Sequence, residues 1–463
     1  AAAAAPREHA RPLERRAAEQ LVLGGRIDEG VEILYRVCEA DGQRLPRSTR
    51  SALASFAWQR TKLRLRGMRF SPTDERDVDP AALRRLDSEL TLAAGLGVVN
   101  PASGALWATR ALLGALRSGE PGRVAQALAY EVGIRSALGW RGGAELIARA
   151  RAIAAEVDRP DVSGSVSFGS GVVAYFDGRF DDALSDLVAA ERDFTTARAL
   201  PWQRTTARWF ALLVLFHLGD LRRYSQRTCE LLREAEERGD LHLQASVLGG
   251  PGQYHWLMRD RAEELRARLD ETMAAWSQKR FQLQHHFELW ANTLIDLYID
   301  QPRAALARVE RAWPEIERSP LRYTKMIYCT LLWLRAVARL ACAEQLSASS
   351  ERRRALREVG ADVARMRRLA QPCFRAIELG LEAGIARVSG DDDRALVKLD
   401  EAIGCAERQG MTSAVMVFSW QRARVAGDEA SRLVKARLDA QLHAQGVVNI
   451  ERTLHSIAPG FRR

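Results

Sequence analysis

The chain runs to 463 residues and carries a formal charge of +10, from 69 basic and 59 acidic side chains. One hydrophobic core does not grow to that length, so the sequence must divide into domains or form an array whose units pack on their neighbours. Only five of the basic residues are lysine, and the arginines alternate with acids, as in Arg233-Glu234-Ala235-Glu236-Glu237-Arg238. That mixture argues against a nucleic-acid partner.

In chain order, the first helical signal follows Ala1-Ala2-Ala3-Ala4-Ala5. Ala18, Leu21, Gly25, Gly30, Leu34 and Val37 recur at helix spacing, and Gly24-Gly25 marks a stop. Further stops at Gly67, Gly119 with Pro121, and Gly139 cut residues 1–160 into helices of about 12–20 residues, predicted as degenerate repeats. From 161 to 463 the pattern sharpens and continues the same array. Gly171 and Ala174 are the small residues of one helix, Gly178 makes a turn, and Ala183, Leu187 and Ala190 fall on the packing face of the next. Ala383, Ala386, Gly390, Ala395, Leu399 and Ala402 repeat that order at the same spacing. Small side chains are needed where helix axes approach to about 8–10 Å. Between these copies, residues 209–219 and 220–239 form a helical pair with Tyr224 in place of a small residue, and Ala305, Val309 and Ala312 form a weaker copy. Gly219, Gly239 and Gly410 are the remaining stops. Two-helix units repeating at about 34 residues are the tetratricopeptide pattern. The predicted fold is therefore all-α, a tetratricopeptide-like α-solenoid of antiparallel helix pairs, with no Asn-Gly or Asp-Gly hairpin between alternating runs to suggest sheet.

Catalytic motifs do not assemble. The glycine–serine run from Gly164 to Gly171 lacks the lysine of a phosphate loop and reads as close helix packing, and Gly249-Gly250-Pro251-Gly252 reads as a turn. Six cysteines without metal spacing read as small core residues of a reducing compartment. The basic runs Arg60 to Arg69 and Arg352 to Arg357 read as solvated helix faces. His285 and His286 are adjacent, so their side chains point about 100° apart and are poorly placed to share a metal. Most of the eleven tryptophans should fill gaps between helices. The densest set of aromatic and amide side chains is Tyr254, His255, Trp256, Gln282, His285 and Trp290, which makes that stretch the candidate groove. No signal segment is visible, and the longest apolar run, residues 209–216, is short of the roughly 20 residues that span a bilayer. A soluble, cytoplasmic protein without enzyme activity or cofactor is expected.

Several stretches resemble a known family. They are Glu14-Arg15-Arg16-Ala17-Ala18-Glu19-Gln20-Leu21 with Gly24-Gly25-Arg26-Ile27-Asp28-Glu29-Gly30, then Leu63-Arg64-Leu65-Arg66-Gly67-Met68-Arg69-Phe70, Ala115-Leu116-Arg117-Ser118-Gly119-Glu120-Pro121 and Ile295-Asp296-Leu297-Tyr298. The ending Ala444-Gln445-Gly446-Val447-Val448-Asn449 with Ala458-Pro459-Gly460-Phe461 belongs with them. Together they look like the tetratricopeptide region that follows the kinase domain and AAA-type ATPase module of large bacterial serine/threonine protein kinases. The resemblance implies a regulatory arm of a longer protein, holding a protein or peptide partner or the upstream kinase and ATPase domains. The alternatives are a small-molecule receptor around Trp256, His285 and Trp290, or a free-standing scaffold. Changing Ala183 or Ala395 to Leu should overfill a helix crossing and cost about 1–3 kcal/mol; a variant melting like the parent refutes the proposed register.

Overall fold

The computed structural model describes residues 14, 17, 18, 21, 26–40, 46, 49–99, 101–140, 142–197, 201–274, 276 and 281–462. The predicted stop at Gly24-Gly25 and the alanine run at the start lie outside them. Among the described residues there are twenty-two α-helices and no strand. The first six are α1 (Ile27–Ala40), α2 (Thr49–Arg66), α3 (Pro80–Val99), α4 (Pro101–Ser118), α5 (Pro121–Leu138) and α6 (Gly143–Val157). Prolines open α3, α4 and α5, where the missing amide would have had no intrahelical acceptor. Seven hairpins follow: α7 (Pro160–Phe176) with α8 (Phe180–Ala197), α9 (Pro201–Leu218) with α10 (Leu221–Glu237), and α11 (Leu241–Gly249) plus α12 (Tyr254–Met258) with α13 (Ala262–Ala274). The series goes on with α14 (Leu283–Tyr298) and α15 (Pro302–Arg318), α16 (Lys325–Gln345) and α17 (Ser349–Leu369), α18 (Arg375–Ser389) and α19 (Asp392–Arg408), and α20 (Thr412–Ala426) and α21 (Glu429–Ala444). A last helix, α22 (Ile450–Ile457), completes the chain.

The corners follow from local chemistry. All eight predicted stop glycines among the described residues (Gly67, Gly119, Gly139, Gly178, Gly219, Gly239, Gly390 and Gly410) have φ between 64° and 86°. In that left-handed region a side chain is disfavoured. At Gly219, Gly239, Gly390 and Gly427 the next residue is aspartate, and Asp220, Asp240, Asp391 and Asp428 each accept the amide three residues on, at 2.7 to 3.1 Å. Glycine thus ends one helix and aspartate caps the next. Four further corners are turned by Asp158, Asp260, Asp300 and Ala370 at positive φ, which a search for glycine misses.

The small residues of both sharp copies are interior. Ala174, Ala183, Ala190, Ala383, Ala386, Ala395 and Ala402 are all buried, and a Cβ on Gly171 would lie 2.8 Å from Leu187. Tyr224 is tolerated in its small-residue slot because its hydroxyl reaches the Pro251 carbonyl at 2.5 Å and its ring meets Phe216 edge-on. Gly249 to Gly252 is a buried bend separating α11 from α12. Cys329, Cys373 and Cys405 are core residues as expected, whereas Cys229 is exposed on α10 and corrects that expectation. Trp58 and Trp140 also face solvent rather than filling gaps.

One core draws on residues 63–173 and a larger one on 174–461, with α7 contributing Val166 and Val173 to the first and Ala174 and Tyr175 to the second. Each hairpin packs on the next, and the ends also meet the middle. Helix α20 lies on α9, and α22 lies on α12 and α14. The Leu221 amide donates to Gln445 Oε1 at 2.9 Å, the Val448 amide to the Met258 carbonyl at 2.7 Å, and the Ser413 hydroxyl to the Phe216 carbonyl. On the other side α3 and α5 reach α14 and α16.

Helix α16 alone among the described helices is long and apolar enough to cross a bilayer, although its arginines interrupt any single apolar run. Of its most apolar stretch, 78% is buried in the protein, and Arg335 pairs there with Asp362 at 3.1 Å. Close packing is exacting at Gly249, where a Cβ would fall 2.7 Å from the Phe287 carbonyl carbon. Gly249→Ala should therefore lose about 1–3 kcal/mol in chemical denaturation. Gly360→Ala, inside α17 with nothing within 4 Å, should gain about 0.5–1 kcal/mol; equal effects of the two would contradict this packing.

Candidate functional site

The hairpins surround an interior cavity of about 540 Å³. Its wall comes from the first helix of each hairpin together with α2 to α5, which add Leu53, Phe56, Ala93, Ala108 and Tyr130. Helix α9 supplies Trp202, Thr206, Trp209, Leu213 and Phe216 at intervals of three and four, one stripe of a 3.6-residue helix. Helix α14 adds His286 and Trp290, and α16 adds Met326, Thr330 and Trp333 by the same spacing. Tyr175 of α7, His242 of α11, Ile377 of α18 and Phe418 of α20 continue the wall. From the second helices of the hairpins only Phe194 of α8 takes part. The tail residues Ala458 and Pro459 close one side, with the Ala458 carbonyl held by Gln421 Nε2 at 3.1 Å.

Aromatic rings set the shape of this wall. Phe216 and Tyr254 stack at 4.1 Å between centroids, Trp202 and His242 lie 4.7 Å apart, and Trp209 donates its indole N–H to the Ser246 carbonyl at 2.9 Å. Among the described residues the wall contains no lysine or arginine, and its single charged side chain is Asp240. That carboxylate already caps α11 through the Leu243 amide at 2.9 Å, and burial raises it to about 6. Burial lowers His217 to about 4 and His242 and His286 to about 3, so all three are neutral imidazoles at pH 7. His242 Nε2 and His286 Nδ1 are buried and have no hydrogen-bond partner within the protein. Leaving such an atom unpaired costs about 1–3 kcal/mol.

The six residues of the candidate groove do not meet in one place. Tyr254 and Trp290 line the cavity. Successive residues of α12 point in different directions, so His255 turns to the Cys229 Sγ, 3.4 Å from Nε2, and Trp256 lies under the Arg268 guanidinium. Gln282 and His285 form the capping box that starts α14: the Gln282 amide donates to His285 Nδ1 at 3.1 Å, and the Gln282 carbonyl oxygen of the side chain accepts the Trp276 indole N–H at 3.3 Å. Of the six, only Tyr254 and Trp290 belong to the cavity, whose histidines, His217, His242 and His286, lie outside that set. The stripe along α9 is the signal in the sequence that points to it, since Trp202, Trp209 and Phe216 recur every seven residues. Among the described residues no group of three or more His, Cys, Asp and Glu is placed to hold a metal ion. The chain matches no protein-family model and no curated protein.

The neutral histidines make stability depend on pH. Once unfolded they return to about 6.5, so as pH falls through 6.5 the unfolded state takes up protons first. Their contribution is complete above pH 6.5 and drains away toward 3; each gives up about 2 kcal/mol by pH 5. Asp240 acts oppositely, its burial cost easing as it protonates near pH 6, as do Glu89, Glu288, Glu344 and Glu378, which burial also raises. His255 and His455, lowered by burial to about 4 and about 3, add to the histidine side and keep it the larger. The urea midpoint should fall between pH 7 and pH 5, and His286→Phe should flatten that fall. An unchanged wild-type midpoint would show that these imidazoles are not buried neutral.

Proposed function

We propose that the chain is a non-catalytic regulatory sensor: a tetratricopeptide-like α-solenoid of antiparallel helix pairs, curved until its ends touch its middle, whose inner face takes a small molecule. The observation that carries this reading is the division between helices. Aromatic and apolar side chains from the first helix of every hairpin converge on one cavity, while the second helices, Phe194 of α8 apart, stay outside it. A volume of about 540 Å³ falls within the roughly 300–1,000 Å³ of small-molecule sites. A largely apolar wall suits a small apolar molecule better than an extended peptide with its row of backbone amides and carbonyls, so the small-molecule alternative is preferred to peptide capture.

The regulatory part rests on the family resemblance. Filling the cavity favours the arrangement in which α20 lies on α9, and a partner that prefers a different curvature is then held or released by population shift. The partner is a protein, with the kinase and ATPase domains of a longer cytoplasmic polypeptide as the proposed case. Intact mass of the native polypeptide tests that case: a species far above 51.6 kDa supports it and one at that mass removes it.

The sensor reading is tested by titrating the chain with N-phenyl-1-naphthylamine, a neutral fluorophore. Saturable binding near one equivalent is expected, with about 2.7 kcal/mol of added stability at a hundred times the dissociation constant. Leu213→Trp, which fills the cavity from α9, should abolish binding and remain folded. Failure of the wild-type chain to bind would sink the reading.

A further inference from the structure

We infer that the molecule held in this cavity is uncharged and largely apolar, and that it carries a hydrogen-bonding group directed at His242 and His286. The inference rests on the sensor reading and adds to it the chemical class of the ligand.

The first ground is the charge inventory. A buried ion needs a partner of opposite sign or a full set of hydrogen bonds. Among the described residues no lysine or arginine lines the cavity to meet a phosphate or carboxylate. Its one carboxylate, Asp240, is ionised at pH 7.5 but already caps α11 through the Leu243 amide and has the Arg238 charge nearby, so it is poorly suited to meet an ammonium group. Nucleotides, fatty-acid anions and amines are thereby disfavoured on the same wall.

The second ground is the pair of imidazoles. His242 is 5% and His286 2% exposed, both line the cavity, and they sit on the packed helices α11 and α14. Each has a ring nitrogen with no partner within the protein. His242 is held in place by Trp202, and His286 lies one turn before Trp290 on the same face. A neutral imidazole offers one donor and one acceptor. A hydroxyl, which both donates and accepts, can satisfy either tautomer, and the apolar remainder of the ligand is left to the rings of Trp209, Phe210, Phe374 and Phe418.

The test is displacement of N-phenyl-1-naphthylamine from the full chain at pH 7.5 by decan-1-ol, decanoate and decylammonium, each below its micellar concentration. Decan-1-ol should displace the fluorophore at a concentration at least roughly tenfold lower than either ion, since each tenfold step needs only about 1.4 kcal/mol. His286→Phe and His242→Phe should keep the fluorophore and weaken decan-1-ol by roughly fivefold or more. If the fluorophore does not bind at all, the sensor reading fails. If it binds and an ion competes as well as the alcohol, the sensor reading stands and this inference is overturned. Variants that fold and leave the alcohol unaffected remove the histidines as its anchor. The comparison of alcohol with ions uses only the wild-type chain, so it decides the charge class even if a variant does not fold.

Discussion

The return of the C-terminal hairpin to the middle of the chain is the contact on which the rest depends. A row of helix hairpins with tryptophan and phenylalanine along its inner face would leave that face in water, and apolar area costs about 25 cal/mol per Å² when exposed. Laying α20 on α9 and α22 on α12 and α14 covers it. The backbone bond from Val448 to Met258 and the cap of Leu221 by Gln445 fix how far the curve goes. What the rings leave between them is the cavity. Its volume follows from where those contacts stop the curvature, and its composition from the stripes of the first helices.

The same geometry explains the charge pattern. Acids at helix interfaces are shared between arginines of neighbouring helices. Asp296 of α14 is held by Arg266 of α13 at 2.6 Å and Arg308 of α15 at 3.0 Å. Asp362 of α17 receives Arg335 and Arg339 of α16, and Arg335 also covers the Trp313 ring of α15. Glu131 of α5 joins Arg60 of α2 at 2.8 Å, which draws part of the first basic run inward. Buried pairs of this kind add little net stability against apolar replacements, but losing one partner is expensive. They therefore act as registration points that specify which helix face meets which. Guanidinium suits the task because its planar fork serves two acceptors at once, consistent with arginine greatly outnumbering lysine.

Features that depend on a few neighbouring residues are legible in the sequence itself. Stop glycines need only a local backbone conformation, and the buried alanines of residues 171–190 and 383–402 need only a close neighbour. Corners made by Asp158, Asp260, Asp300 and Ala370 escape such a reading because an L-residue at positive φ is imposed by the packing on either side. Helix α16 does not stand out as long and apolar because run length stops at each arginine, whereas Asp362 neutralises Arg335 from another helix. The site is half legible. Tyr254, His255 and Trp256 are neighbours in sequence and suggest one surface, yet a helix sends them to the cavity, to Cys229 and to Arg268. A wall assembled from residues between Leu53 and Pro459 has no local signature.

The contacts that complete the wall join residues far apart in the chain, 197 positions between Ser413 and Phe216 and 224 between Leu221 and Gln445. Order of synthesis then matters. At roughly 5–20 residues per second, the aromatic stripe of α9 leaves the ribosome roughly 10–40 s before α20 exists to cover it. For that interval a nascent chain displays its stickiest surface, and its solubility depends on the translating cell rather than on the finished molecule.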